Sequence, residues 1–340
     1  MKPGKKFWNA LFFLCVMGLT FYAVLHGQDP KQIVGALARM SPAYLGAAAC
    51  CGLFFVCAEG WMIRYLLKGM GTKSGLLRCI GYSFVGFFYS GITPSATGGQ
   101  PMQLYYMKKD GNRLSDSSVV LMTVAVIYKF VLVVIGTGIL LLWHRPLRER
   151  LLNYLPLYLL GLMLNVVLVG ILLGVMAAPN GMYRLLSGLE RMLVRCRILK
   201  YSACRTQKIL QFVDGYREAV HFLWTHKKKV GVVVMVTFLQ RCSVFFLTWF
   251  VYKGFGLAKS SMTEVVLLQA SVYIAVDMLP VPGAQGITEL MYHTVFADIF
   301  TGRFLMPSLY VTRGINFYFL LIVSLFVTLG RRLAARKSAR

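Results

Sequence analysis

The chain has 340 residues, 57% of them hydrophobic and only 14% charged, where a soluble domain carries about 25% charged residues. With a mean hydropathy of +0.64, this composition excludes an ordinary water-soluble globule and points to lipid as the solvent. The net charge of +25 invites a nucleic-acid reading, but the placement of the charges along the chain argues against it.

About 20 apolar residues cross a hydrocarbon core, and six stretches meet that length: 7–25, 42–63, 119–143, 155–177, 230–252 and 309–329. Five spans follow the first, and it lacks a convincing cleavage site, so a removable signal peptide does not explain it. The second opens with Ser41 as helix cap and Pro42 at the first helical position. With the N-terminus inside, the inner segments carry 26 of the 37 Lys and Arg residues, the outer ones 8 and the spans 3. That asymmetry is the positive-inside rule. It predicts a multi-pass protein of the cell membrane with both termini cytoplasmic, its basic face drawn to anionic headgroups rather than to nucleic acid.

Two apolar regions depart from simple spans. The first, about 76–109, reads Ser-Gly-Ile-Thr-Pro-Ser-Ala-Thr-Gly-Gly-Gln-Pro over 90–101; the second, about 264–302, reads Met-Leu-Pro-Val-Pro-Gly-Ala-Gln-Gly over 278–286. Gly and Pro at this density break a helix. Each region is expected to form two half-helices joined at membrane depth, where only protein or a water-filled cavity tolerates irregular backbone. Lys73, Arg78, Lys108, Lys109 and Arg113 bracket the first on the inside; Lys253, Lys259 and Arg303 bracket the second on the outside. The expected fold is an all-α polytopic membrane protein, one domain over 1–340. It has about six full transmembrane helices and two opposed re-entrant hairpins, the mark of an inverted repeat with a central site. Ordinary kinked spans, or paired spans with tight turns, are the alternative. Residues 178–229 form the one sizeable polar segment. Within it Ile209, Leu210, Phe212, Val213, Tyr216, Val220 and Leu223 recur at helical spacing, as in an amphipathic helix on the inner surface or against the bundle.

The candidate substrate site lies between the two broken tips. In the first tip, Thr93, Pro94, Ser95, Thr97, Gly98, Gly99 and Gln100 offer donors and close backbone approach, and a half-helix starting at Pro101 would present its N-terminus to an anion. Asp277, Pro280, Pro282, Gly283, Gly286 and Glu289 repeat the device in the second. Lys129, Arg241 and Arg313 are cations inside spans, where charge is costly and usually functional. They either hold a lipid phosphate or neutralise buried carboxylates, for example Arg313 with Asp277. The blander reading of the loops is that their residues cap a kink. Glu59, close to Arg64, reads as a snorkelling side chain.

No HExxH, Walker loop or GxSxG elbow occurs. The eight cysteines lack CxxC spacing and read as reduced, small apolar residues. No metal or cofactor is expected, and His293, four residues after Glu289, is weighed and set aside as a metal pair.

The stretch Thr-Pro-Ser-Ala-Thr-Gly-Gly-Gln-Pro at 93–101 with Tyr-Tyr-Met-Lys-Lys at 105–109, and Leu-Pro-Val-Pro-Gly-Ala-Gln-Gly-Ile-Thr-Glu at 279–289, resemble the paired motifs of the lysylphosphatidylglycerol synthase transmembrane family. Its members include the flippase-like membrane domain of the bifunctional multiple peptide resistance factor. The resemblance covers about residues 7–330, with Ala284 where a second Gly is expected. It implies a helical bundle with re-entrant hairpins that moves anionic or aminoacylated phospholipids between leaflets. Bifunctional members carry a soluble aminoacyl-transferase domain after the membrane part; this chain stops at Arg340, so it is expected to transport lipid without an enzymatic step. Polyprenyl phosphates are equally admissible cargo. A membrane enzyme using Asp277 and Glu289 as acid and base, or a non-catalytic partner of a cell-envelope enzyme, are the rival readings, and a homo-oligomer is compatible with all three.

Overall fold

The computed structural model describes residues 37–93, 97–178, 203–279, 286–300 and 302–337, with Gly35 and scattered positions between 181 and 195. The expected span 7–25 therefore lies outside the described residues, as do Pro94, Ser95, Pro280, Pro282 and Gly283. Among the described residues the regular structure is helical throughout. Five helical stretches are long and apolar enough to cross a membrane: Pro42–Gly69, Leu114–Leu142, His144–Ala177, Lys227–Gly254 and Gly302–Leu333.

Helix α1 (Pro42–Gly69) has 28 residues, about 42 Å of helix. Ser41 occupies its N-cap position, yet its side chain caps nothing; instead its backbone N–H donates to the Gly254 carbonyl at 3.1 Å. That bond ties the start of α1 to the end of the helix spanning Lys227–Gly254. The two helices run antiparallel, since Thr237 donates to Met62 Sδ, Gln240 to the Phe55 carbonyl and Ser243 to the Cys51 carbonyl.

Each broken region resolves into two helices. In the first, α2 (Leu76–Ile92) and α3 (Gly99–Lys109) have 17 and 11 residues. At 1.5 Å per residue neither reaches the roughly 30 Å of a hydrocarbon core. They pair antiparallel: Ser74 donates to Asn112 Oδ1 at 2.8 Å and the Tyr82 hydroxyl to Asp110 Oδ2 at 2.7 Å. The second half-helix starts at Gly99 rather than at the expected Pro101, because the turn at Gly98 already has helical dihedrals.

Helix α4 (Leu114–Leu142) begins five residues before the apolar stretch expected from hydropathy. Its first turn is polar, and Asp116 there favours the positive end of the helix dipole. Hydropathy marks the lipid-embedded part of a helix, not its cap. Helix α5 (His144–Leu151), a short 3-10 turn and α6 (Leu155–Ala177) follow. The amphipathic segment yields α7 (Ala203–Thr225), which buries Val213, Tyr216, Val220 and Leu223 against α4. Of the two placements open from sequence, it takes the one against the bundle.

After α8 (Lys227–Gly254), the second broken region forms α9 (Met262–Val276) and α10 (Ile287–Val295). The last span joins α11 (Leu305–Arg313), a π-helical stretch over Gly314–Phe319, and α12 (Leu320–Lys337). A π-helical turn inside an apolar span departs from regular α-helical hydrogen bonding and is found frequently at functional sites.

An arginine pins the open end of each pair. Arg331 donates to the Arg78 carbonyl at 2.8 Å and to Asp110 Oδ2 at 2.5 Å. Arg150 donates to Glu264 at 2.8 Å and to Asp298 at 2.7 Å, joining the start of α9 to the residues just past α10. The first open end lies where α1 finishes and α4 starts. The second lies where α4 and α8 finish, so the pairs open at opposite ends of the same long helices. Each has its own core: one cluster joins α2 and α3 to Met62, Leu66, Val119 and Tyr216, and another joins α9 and α10 to Leu132, Tyr158, Val251 and Tyr252.

Candidate functional site

Asp277 ends α9 at the tip of the second pair and meets α4 near its midpoint. Lys129 Nζ lies 2.5 Å from Asp277 Oδ2, and the Tyr128 hydroxyl donates to Oδ1 at 2.5 Å. Tyr273, one helical turn before Asp277, shares a hydroxyl–hydroxyl bond of 3.0 Å with Tyr128. The expected pairing of Asp277 with Arg313 is not made. Arg313 instead meets Glu289 at 2.8 Å, because the tip turns Asp277 toward α4 and Glu289 toward the last span.

Glu289 has a second task. Its other oxygen accepts from the Gly286 backbone N–H, closing the first turn of α10, where Gly286 takes a φ of 82° that an L side chain rarely adopts. Both oxygens of this carboxylate are thus taken, one by the cap and one by the guanidinium, which opposes the weighed metal pairing with His293.

Arg241 on α8 has a different environment. It is 4% exposed, with its guanidinium carbon 4.1 Å from the Tyr128 ring centroid and 4.4 Å from that of Phe55. Its one direct polar contact among the described residues is a long one, 3.4 Å from Nη1 to the Tyr273 hydroxyl. Nε is buried without a partner, and no described carboxylate comes within ion-pair distance. Cation–π contacts contribute about 0.5–2 kcal/mol each, and they leave the in-plane donors unfilled. A guanidinium with a buried, unpartnered Nε–H and an Nη1 held only by a long contact is the chemistry that binds a phosphate or carboxylate with paired N–H donors.

The first tip is organised by a hydroxyl. Thr93 donates to the Tyr89 carbonyl at 2.6 Å and accepts from the Gly98 N–H at 2.9 Å. One of the free donors at the start of α3 is therefore satisfied internally. A Cβ on Gly98 would strike Thr93, and one on Gly99 would strike Ser90 Oγ and the Gly86 carbonyl. These glycines let the two half-helices close on each other. Thr97 and Gln100 are exposed at the tip surface.

Four participants were not legible as site residues. Glu59, assigned to snorkelling beside Arg64, accepts from Gln103 Nε2 at 2.6 Å. Gln103 is itself 3% exposed and belongs to α3, so this bond fastens the first pair to α1. Tyr128 and Tyr273 carry the network from Arg241 to Asp277. A signal existed for three of them: an acid within an apolar span for Glu59, adjacency to Lys129 for Tyr128, and the four-residue step to Asp277 for Tyr273. Gln103 and Glu59 thus tie the first pair to α1, while Arg241, Tyr273, Tyr128, Asp277 and Lys129 form a network that ties the tip of the second pair to α4 and α8. Among the described residues no group of three metal-ligating side chains occurs.

The family model of the lysylphosphatidylglycerol synthase TM region matches residues 8–324. No curated protein matches the chain.

Proposed function

The chain belongs to the lysylphosphatidylglycerol synthase transmembrane family, and we propose that it carries the headgroup of an anionic lipid across the bilayer without altering it. The family places the chain among membrane proteins of lipid headgroup modification or lipid transport. In this reading the cargo is an anionic or aminoacylated phospholipid or a polyprenyl phosphate. Six spans cross the cell membrane with both termini inside, and the two helix pairs are re-entrant hairpins entering from opposite faces.

The observation that carries the reading is Arg241, a cation 4% exposed and without a described carboxylate partner. Burying such a charge unpaired is costly, and a transient anionic partner accounts for keeping it. A phosphate 4 Å away gains about 4 kcal/mol at an effective dielectric near 20, before desolvation is subtracted. Lys129 lies in the same network and adds positive charge beside Tyr128, its ammonium shared with Asp277. The polar tip residues Thr93, Ser95, Thr97 and Gln100 would line the path, while the acyl chains stay in lipid.

The test is reconstitution. Proteoliposomes containing the chain should redistribute a labelled anionic phospholipid between leaflets with its mass unchanged, and Arg241→Met should abolish this while the protein keeps its melting temperature. A product of altered mass would favour a headgroup enzyme. Transport that survives Arg241→Met would remove Arg241 from the path.

A further inference from the structure

Helix α8 carries one stripe from its basic end into the membrane. Lys227, Gly231, Val234, Phe238 and Arg241 follow one another in steps of four and three residues, the spacing that keeps side chains on one face of a helix. The stripe is cationic at both ends and apolar between them. Beside it α4 contributes Phe130, Val131 and Val134, and the two helices leave a groove of about 310 Å³ with an entirely apolar lining. Val131 is buried, whereas Phe130, Val134 and Phe238 are exposed, as the floor and rims of an outward-facing groove. A Cβ on Gly231 would meet nothing within 4 Å, so the groove is open toward Lys227.

Its depth matches a lipid chain. Phe238 lies eleven residues beyond Lys227, about 17 Å of helix, close to half of a hydrocarbon core of roughly 30 Å. Trp224, exposed three residues before Lys227, is the side-chain type that settles at headgroup level. Within a span the occupant of an apolar groove is hydrocarbon, and a chain seated there meets apolar atoms on several sides, where a convex helix offers them on one. The exposed Lys227 adds the charge that selects an anionic headgroup.

We propose that the α4–α8 groove is a second lipid site, holding one acyl chain of an anionic phospholipid whose phosphate rests on Lys227. The groove ends one helical turn short of Arg241, so a lipid held here waits beside the anion site. That role rests on the reading of Arg241 given above; the binding site itself does not.

The experiment uses the full chain in phosphatidylcholine nanodiscs doped with phosphatidylglycerol or phosphatidylcholine carrying a mid-chain diazirine, with crosslinks mapped by mass spectrometry. Phosphatidylglycerol should crosslink mainly over 130–134 and 231–238, and phosphatidylcholine should spread over the lipid-facing surface. Gly231→Phe fills open space and should remove the groove crosslinks, while Gly231→Ala should keep them. Lys227→Gln should lower the preference for phosphatidylglycerol about fivefold, and Lys228→Gln, off the stripe, should lower it less. Equal labelling of the groove by both lipids would mean ordinary boundary lipid and overturns the proposal, as would crosslinks that survive Gly231→Phe or equal effects of the two lysine variants. Arg241→Met should keep the groove crosslinks and lose transport. If it transports normally while the groove labels selectively, the Arg241 reading falls and the groove stands; if it loses transport while labelling is unselective, only the groove falls.

Discussion

Lys129 and Asp277 are 148 positions apart in the chain, yet their charged atoms lie 2.5 Å apart, with side chains only 13% and 8% exposed. This pair fixes the tip of the second helix pair to the middle of α4. A buried ion pair adds little net stability, but removing one partner strands the other at a cost of about 3–5 kcal/mol.

Lys129→Met should therefore lower the melting temperature markedly, and Asp277→Asn should do the same. Lys129→Met combined with Asp277→Leu should recover part of the loss, since no charge is left unpaired. A double-mutant cycle in detergent measures the coupling. A Lys129→Met protein that melts normally but no longer transports would shift Lys129 from holding the tip to holding the lipid.

The two arginine clasps predict separable effects. Arg331→Gln removes charge-assisted bonds at the base of the first pair and Arg150→Gln those at the base of the second, where solvent screening of partners such as the 79% exposed Asp298 leaves each exposed pair about 0.2–1 kcal/mol. Hydrogen exchange should rise over 76–109 in the first variant and over 262–300 in the second. Protection lost equally in both pairs would mean that the clasps do not act locally.

Gly99→Ala places a methyl group against Ser90 Oγ and the Gly86 carbonyl. Overpacking of this kind costs about 1–3 kcal/mol. Replacing Ser90 by Ala as well should relieve the first clash but not the second, so thermal melts should show partial recovery only. Full recovery would mean that the backbone of α2 yields.

Topology is checked with single cysteines on a background lacking the native eight. Reagents outside should label positions 28 and 302, and reagents inside should label positions 109 and 187. Labelling of position 109 from outside would make 76–109 an ordinary crossing and remove the inverted-repeat reading.

Local signals on the sequence determined much of this protein. A long apolar run in a membrane has one way to satisfy its backbone, a helix, so the stretches at 42–63 and 230–252 reappear inside longer helices, 155–177 as α6 itself, and 119–143 as all but the last residue within α4. Gly and Pro clusters break helices wherever they occur, so both interruptions were visible too. Even the cost of Lys129, Arg241 and Arg313 inside apolar runs could be read from position alone. The tertiary structure decided who answers those charges. Asp277 chose Lys129 over Arg313, Glu289 took Arg313 while capping Gly286, Glu59 turned to Gln103, and Arg241 was left between two aromatic rings. Partner choice depends on which helix faces lie opposite one another and how far a tip reaches, and those distances arise from packing between segments more than a hundred residues apart.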